Sequence, residues 1–110
     1  MTKQNTYTIS VTELQKLLQT NKQIVLLDVR HAWEREECCI PNDTHIPLAE
    51  LESKSASMLK DIPIIVYCHH GMRSKQAVAV LLDLGFQQVS SLDGGIHEWS
   101  NKIDPSIGQY

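Results

Sequence analysis

The sequence predicts an α/β fold, a mostly parallel five-stranded sheet with helices on both faces, and three observations carry that expectation. Segments rich in β-branched residues alternate with segments of helical periodicity along the whole chain. Two of the β-rich segments, Ile24 to Val29 and Pro63 to Tyr67, lack the apolar/polar alternation of a half-exposed strand, which suits strands covered on both faces of a parallel sheet. A chain of 110 residues with 42% hydrophobic content supports one compact core and is too short to divide into two. The expected unit is one domain over 1–110, with its core at 7–100 and a surface tail at 101–110.

Taken in order, Tyr7-Thr8-Ile9 is a short strand, and Ser10 followed by Glu13 has the spacing of a capping box. The helix it opens runs to Gln19, with Val11, Leu14, Leu17 and Leu18 on one face. Asn21-Lys22 turns the chain into the first buried strand, Ile24 to Val29. A charged segment from His31 to Glu37 predicts a short helix, whose run Glu34-Arg35-Glu36-Glu37 reads as a solvated face and whose Trp33 reads as a core filler. Pro41-Asn42-Asp43 is turn chemistry, and Thr44-His45-Ile46, closed by Pro47, suits an edge strand. Leu48 to Leu59 holds one or two helical turns, weakened by Ser53-Lys54-Ser55. Pro63 to Tyr67 is the second buried strand, and Ser74 to Leu84 a helix with Ala77, Val80, Leu81 and Leu84 at helical spacing. Gly85 ends it as a left-handed cap. Gln88 to Leu92 gives another strand, Asp93-Gly94-Gly95 a tight turn, and Ile96 to Ser100 a short helix in which Trp99 fills the core. Asn101 to Tyr110 has no periodicity and is expected on the surface.

Charge and cysteine usage exclude several classes. Thirteen acidic and ten basic side chains are mixed along the chain, so no broad face for nucleic acid or anionic lipid is expected. Residues 1–6 carry no apolar signal core, and no apolar run approaches the roughly 20 residues that cross a bilayer, which makes the cytoplasm the expected compartment. Three cysteines, two of them the adjacent Cys38 and Cys39, do not form a secreted disulfide framework, so at least one thiol is expected free.

Cys68 has the reactive address. It follows a buried strand and precedes a helix, so its sulfur should stand at the strand's carboxyl end, where sites form in parallel sheets. Unpaired N–H groups of the helix N-terminus and of a curled loop favour an anion at the loop centre, and a thiolate or persulfide answers that demand. Arg73 supplies a permanent cation, and His69 and His70 conditional ones. Gly71 permits a positive φ, and Ser74 is placed to cap the helix.

The segment Cys68-His69-His70-Gly71-Met72-Arg73-Ser74 resembles the active-site loop of the rhodanese family, whose cysteine carries sulfane sulfur as a persulfide. Leu27-Asp28-Val29-Arg30, His45-Ile46-Pro47-Leu48, and Asp93-Gly94-Gly95-Ile96 with Trp99 resemble further family segments, and the closing Ile103-Asp104-Pro105 to Tyr110 is similar to the tail of a bacterial single-domain subgroup. The chain departs from the family where Cys38-Cys39-Ile40-Pro41-Asn42 replaces Gly-His-Ile-Pro-Gly, so the local loop is expected to differ and Cys39 becomes a candidate partner for the Cys68 persulfide.

The resemblance implies a rhodanese-like sulfurtransferase. Cys68 takes sulfur from a small donor such as thiosulfate and gives it to a thiol, cyanide or protein thiol acceptor, with no cofactor beyond the covalent persulfide. Backbone N–H groups of residues 69–73 would hold the persulfide, Arg73 would attract the donor or brace the loop, and Asp28 and Arg30 would position the loop or neutralise charge around it. A second reading is a sulfur-carrier or binding module. A third, a phosphatase or arsenate reductase, is disfavoured because such loops place five residues between cysteine and arginine, where His69 to Met72 makes four. Cys38, Cys39, His45 and His69-His70 match no structural zinc spacing, so no metal is expected, and Cys38 and Cys39 read as packing residues.

Overall fold

The computed structural model describes residues 7–20 and 23–110, so the readings made on residues 1–6 and on the Asn21-Lys22 turn fall outside the described residues. Five strands, β1 (Thr8–Ile9), β2 (Val25–Asp28), β3 (Thr44–His45), β4 (Ile64–Tyr67) and β5 (Val89–Leu92), form one sheet in the order β1-β5-β4-β2-β3. Every pairing is parallel, so the expected mostly parallel sheet is wholly so among the described residues.

The strand period of two explains why β2 and β4 are apolar throughout. Leu27, Ile64 and Val66 point into a core with Leu51 of α3 (Leu51–Lys54) and Ala77, Val78 and Leu81 of α4 (Met72–Asp83). Their neighbours Leu26, Ile65 and Tyr67 point the other way, into a core with Val11 and Leu14 of α1 (Val11–Gln19) and Ile96 and Trp99 of α5 (Gly95–Lys102). Helices therefore cover both faces. Cys68 continues the Ile64 and Val66 side and joins the core beneath α4.

Local signals account for most boundaries. Ser10 and Glu13 form the reciprocal capping box that opens α1. The weak segment after Pro47 splits into 3-10 turns at Leu48–Glu50 and Ser55–Ser57 on either side of α3, as its serines suggest. Gly85 ends α4 with φ +96°. Two boundaries move: α4 begins at Met72 with Gly71 as its N-cap, so Ser74 lies inside the first turn and does not cap it, and α5 begins at Gly95, inside the expected tight turn.

The tail stays at the surface, none of its residues being fully buried, yet it is anchored. Pro105–Ile107 forms a 3-10 turn, and Ile103, Ile107 and Tyr110 pack against the α1/α5 core. Lack of periodicity concealed this, because three separate apolar anchors on an irregular segment satisfy no repeat. Among the described residues no helix is long and apolar enough to cross a membrane.

Candidate active site

The site is built where β4 gives out. Gly71 N–H donates to Cys68 Sγ at 3.1 Å and Ser74 N–H at 3.4 Å, so the loop and the first turn of α4 converge on the sulfur. Gly71 adopts φ +119°, the left-handed region that favours glycine, and this turns its N–H inward. The Ser74 hydroxyl donates to the Gly71 carbonyl (3.1 Å), lies 2.6 Å from Ser91 Oγ of β5, and stands 3.6 Å from the sulfur as acceptor for the thiol proton. Ser74 thus holds the loop closed from within. Both main-chain donors are fixed by backbone, so the sulfur keeps them when its own proton leaves. The side chain is buried, 1% exposed, deeper than an open pocket mouth.

The other side of the loop is fastened by α5. Ile96 N–H donates to the Cys68 carbonyl (2.9 Å) and His97 N–H to the His69 carbonyl (3.1 Å), so the first turn of this helix satisfies two loop carbonyls. That approach requires glycine at 95: its φ is +62°, and a Cβ there would sit 2.6 Å from the Cys68 carbonyl oxygen.

Arg73 points to a carboxylate. Its two terminal nitrogens donate to both oxygens of Glu34 at 2.6 and 2.7 Å, a bidentate pair. Glu34, expected on a solvated face of α2 (Ala32–Glu37), is instead 3% exposed, and it also accepts from His31 N–H (2.9 Å) and the Tyr110 hydroxyl (2.8 Å). Burial opposes its charge, but the bonds from Arg73, His31 and Tyr110 outweigh burial and hold the carboxyl down at about 2. With Glu34 facing inward, the preceding Trp33 is turned outward, 59% exposed with an edge contact to Tyr110, and does not fill the core as expected. Trp99, at 6%, does.

Asp28 and Arg30 form a fully buried pair, with Nε to Oδ1 at 2.9 Å and Nη2 to Oδ2 at 3.0 Å. Arg30 also donates to the Cys38 carbonyl (2.7 Å) and the Tyr110 hydroxyl (3.0 Å), and Arg35 adds a bond to Asp28 (2.9 Å). Neither Asp28 nor Arg30 is hydrogen-bonded to the Cys68 loop; they reach it through Tyr110, Glu34 and Arg73. Burial pushes the Tyr110 hydroxyl up to about 12, so at neutral pH it is a protonated donor to Glu34. The Tyr110 ring stacks on His69 with centroids 4.0 Å apart.

Sequence reasoning missed Glu34, Ser91, Gly95, His97 and Tyr110 as parts of this assembly. Of the expected loop residues, His70 and Met72 face solvent, Met72 being 74% exposed. Burial and the neighbouring His70 push the His69 imidazole toward its neutral form, which weakens it as a conditional cation. All three cysteines are free thiols. Cys38 is buried as expected, and it is Cys38, rather than Cys39, that lines a narrow crevice with His69, His97 and Tyr110.

A cysteine at the carboxyl end of a central parallel strand, its sulfur approached by two main-chain N–H donors, defines a thiol-bearing α/β domain. The chain belongs to the rhodanese-like domain family, whose pattern matches residues 10–102. It is 38% identical over 78 residues to the thiosulfate sulfurtransferase GlpE of Coxiella burnetii, covering 71% of this chain and 73% of that protein. It is 34% identical over 125 residues to the mouse adenylyltransferase and sulfurtransferase MOCS3, covering 93% of this chain but only 27% of that longer protein. Among solved structures, the human single-domain sulfurtransferase TSTD1 superposes with a TM-score of 0.79 at 27% identity, covering 89% of this chain and 98% of that one. These relatives support sulfur transfer as the general activity of this fold and loop.

Proposed function

We propose that the protein is a sulfurtransferase that passes sulfane sulfur from thiosulfate or a persulfide donor to a thiol or cyanide acceptor through a persulfide on Cys68. The observation that carries this reading is the convergence of the Gly71 and Ser74 N–H groups on Cys68 Sγ. In the first half-reaction the thiolate attacks the outer sulfur of thiosulfate. The S–S bond breaks, its electron pair leaves with sulfite, and Cys68 retains the transferred sulfur as a persulfide anion. In the second, an acceptor thiolate or cyanide attacks that terminal sulfur, and the Cys68 sulfur leaves as thiolate. Total charge is conserved in each step, so the loop needs only to hold one negative charge that moves outward by one sulfur atom.

Backbone dipoles suit this task because they are oriented before the charge arrives and cost no reorganisation when it does. The Gly71 and Ser74 N–H groups, already aimed at Cys68 Sγ, are the donors that would meet that charge first. The free thiols fit a reducing, cytoplasmic setting. The test is intact-protein mass spectrometry after exposure to thiosulfate. A gain of one sulfur atom on Cys68 is expected, reversed by cyanide or thiol and absent in Cys68→Ser. A protein that stays unmodified while folded and reduced overturns the proposal.

A further inference from the structure

Next to the sulfur lies a second chemical feature. His69, His70 and His97 each bring a ring nitrogen to within 4.8 Å of the other two. The His69 and His70 rings lie 4.0 Å apart, His70 and His97 4.9 Å, and His69 and His97 6.1 Å. Among the described residues none of the three rings is hydrogen-bonded to another protein group, and Nδ1 of His97 is buried without a partner. The unpartnered Nδ1 of His97 is costly to leave buried, and three clustered imidazoles with unclaimed lone pairs are a useful arrangement for ligation.

The backbone holds the cluster together. His97 N–H donates to the His69 carbonyl at 3.1 Å, so two of the three residues are hydrogen-bonded main chain to main chain, while the exposed His70 is free to swing. A tetrahedral zinc centre with bonds of about 2.0–2.1 Å needs its nitrogens roughly 3.4 Å apart, so the widest pair must close by no more than about 1.4 Å. A donor set of imidazoles suits zinc, nickel or copper and not the oxygen-seeking magnesium or calcium. The expectation of no metal rests on the spacing of Cys38, Cys39, His45 and His69-His70, a set that leaves out His97, the residue that completes this cluster.

We propose that His69, His70 and His97 form a three-histidine site for a zinc-class divalent metal on the Cys68 loop, and that its occupancy shields Cys68. The fourth position is left to water. A metal there ties the loop, through His69 and His70, to α5 through His97, and stiffens the rim that must open for a reagent to reach the buried sulfur.

The binding test is calorimetric titration of Cys68→Ser with zinc chloride, a variant that retains all three histidines and lacks the reactive thiol. One zinc per chain is expected, with affinity falling at least roughly tenfold when His97→Gln is added. His70→Gln, at an exposed position, must show the same loss, which covers the case in which His97→Gln perturbs folding. Cobalt(II) in the same protein should give four-coordinate visible bands without sulfur-to-metal charge transfer. With Cys68 intact, zinc should slow its alkylation by iodoacetamide at least roughly fivefold, EDTA should restore the rate, and His97→Gln should escape the effect. Alkylation needs no sulfur transfer, so this outcome is independent of the proposed activity. Equal affinity with and without His97, or protection that persists in His97→Gln and so places the metal on thiols, overturns the site.

Discussion

Replacing Glu34 by glutamine keeps the shape of the side chain and an oxygen that still accepts from Tyr110, but removes the charge that binds Arg73 through two bonds of 2.6 and 2.7 Å. The carboxyl is held at about 2 rather than the ordinary 4.5. At about 1.4 kcal/mol per pH unit, that preference for the charged form corresponds to about 3 kcal/mol of folding free energy at neutral pH. Arg73 is 31% exposed and recovers some hydration when the pair is lost, so a loss of about 2 to 3 kcal/mol is expected at pH 7. The sign follows from a folded-state pKa below the unfolded one: the contribution is complete above about 5, fades as the pH falls toward 2, and retains roughly two-fifths of its size at pH 3. Urea unfolding of parent and Glu34→Gln at pH 7 and pH 3 measures it, with the other titrating groups common to both proteins. A gap below about 0.5 kcal/mol at pH 7, or one of equal size at both pH values, would refute the assignment of Glu34 as the buried anchor of the Arg73 side.

The same pair makes a kinetic prediction. A single unit charge acting on a dianionic donor across about 10 Å of water is worth about 1 kcal/mol, so at low salt Arg73→Ala, which bares Glu34, should slow the Cys68 adduct with thiosulfate roughly fourfold. Glu34→Gln should speed it by a similar factor, and the double variant should return near the parent rate. Equal and large slowing in Arg73→Ala and the double variant would mean that Arg73 touches the donor directly. Gly95→Ala places a Cβ against the carbonyls of Cys68 and His69 at a positive φ, and should cost about 3 kcal/mol or more in thermal unfolding; a loss under about 1 kcal/mol would show that the α5 fastening is loose. Ser91→Ala removes the buried partner 2.6 Å from Ser74 Oγ and should cost about 1 to 2 kcal/mol by chemical denaturation, while a neutral effect would detach β5 from the loop.

The parts of this protein that were legible in its sequence are those governed by short-range rules. The unalternating runs around Leu27 and Ile65 gave away strands covered on both faces, the Ser10 and Glu13 spacing marked the start of α1, and Cys68 with Gly71 marked a thiol loop at a strand end. Residues whose roles depend on partners far along the chain were not legible. Glu34 sits in a run of charges typical of a solvated helix, and Arg73 and Tyr110, from distant segments, join the local His31 N–H in holding it inward. Tyr110 belongs to a tail without a repeat, yet it touches His69, Glu34 and Arg30 at once. His97 looked like an ordinary residue of a short helix because its neighbours His69 and His70 arrive from another element.

A division of labour follows from how the loop is fastened. Its sulfur is addressed by N–H groups of Gly71 and Ser74, and its carbonyls at 68 and 69 by N–H groups of Ile96 and His97, so the geometry at the reacting atom is set by main chain on both sides. Main-chain donors survive most substitutions, provided that Gly71 and Gly95 keep the positive φ values that bring them into place. The side chains of His70 and Met72 take no part in that fastening and face solvent. Changes at His70 and Met72 should therefore leave the N–H groups of Gly71 and Ser74 on the Cys68 sulfur, so that the proposed persulfide still forms there. Changes at the two glycines should act on that geometry itself, at Gly95 through a clash with the carbonyls of Cys68 and His69 and at Gly71 through the strain of its positive φ alone.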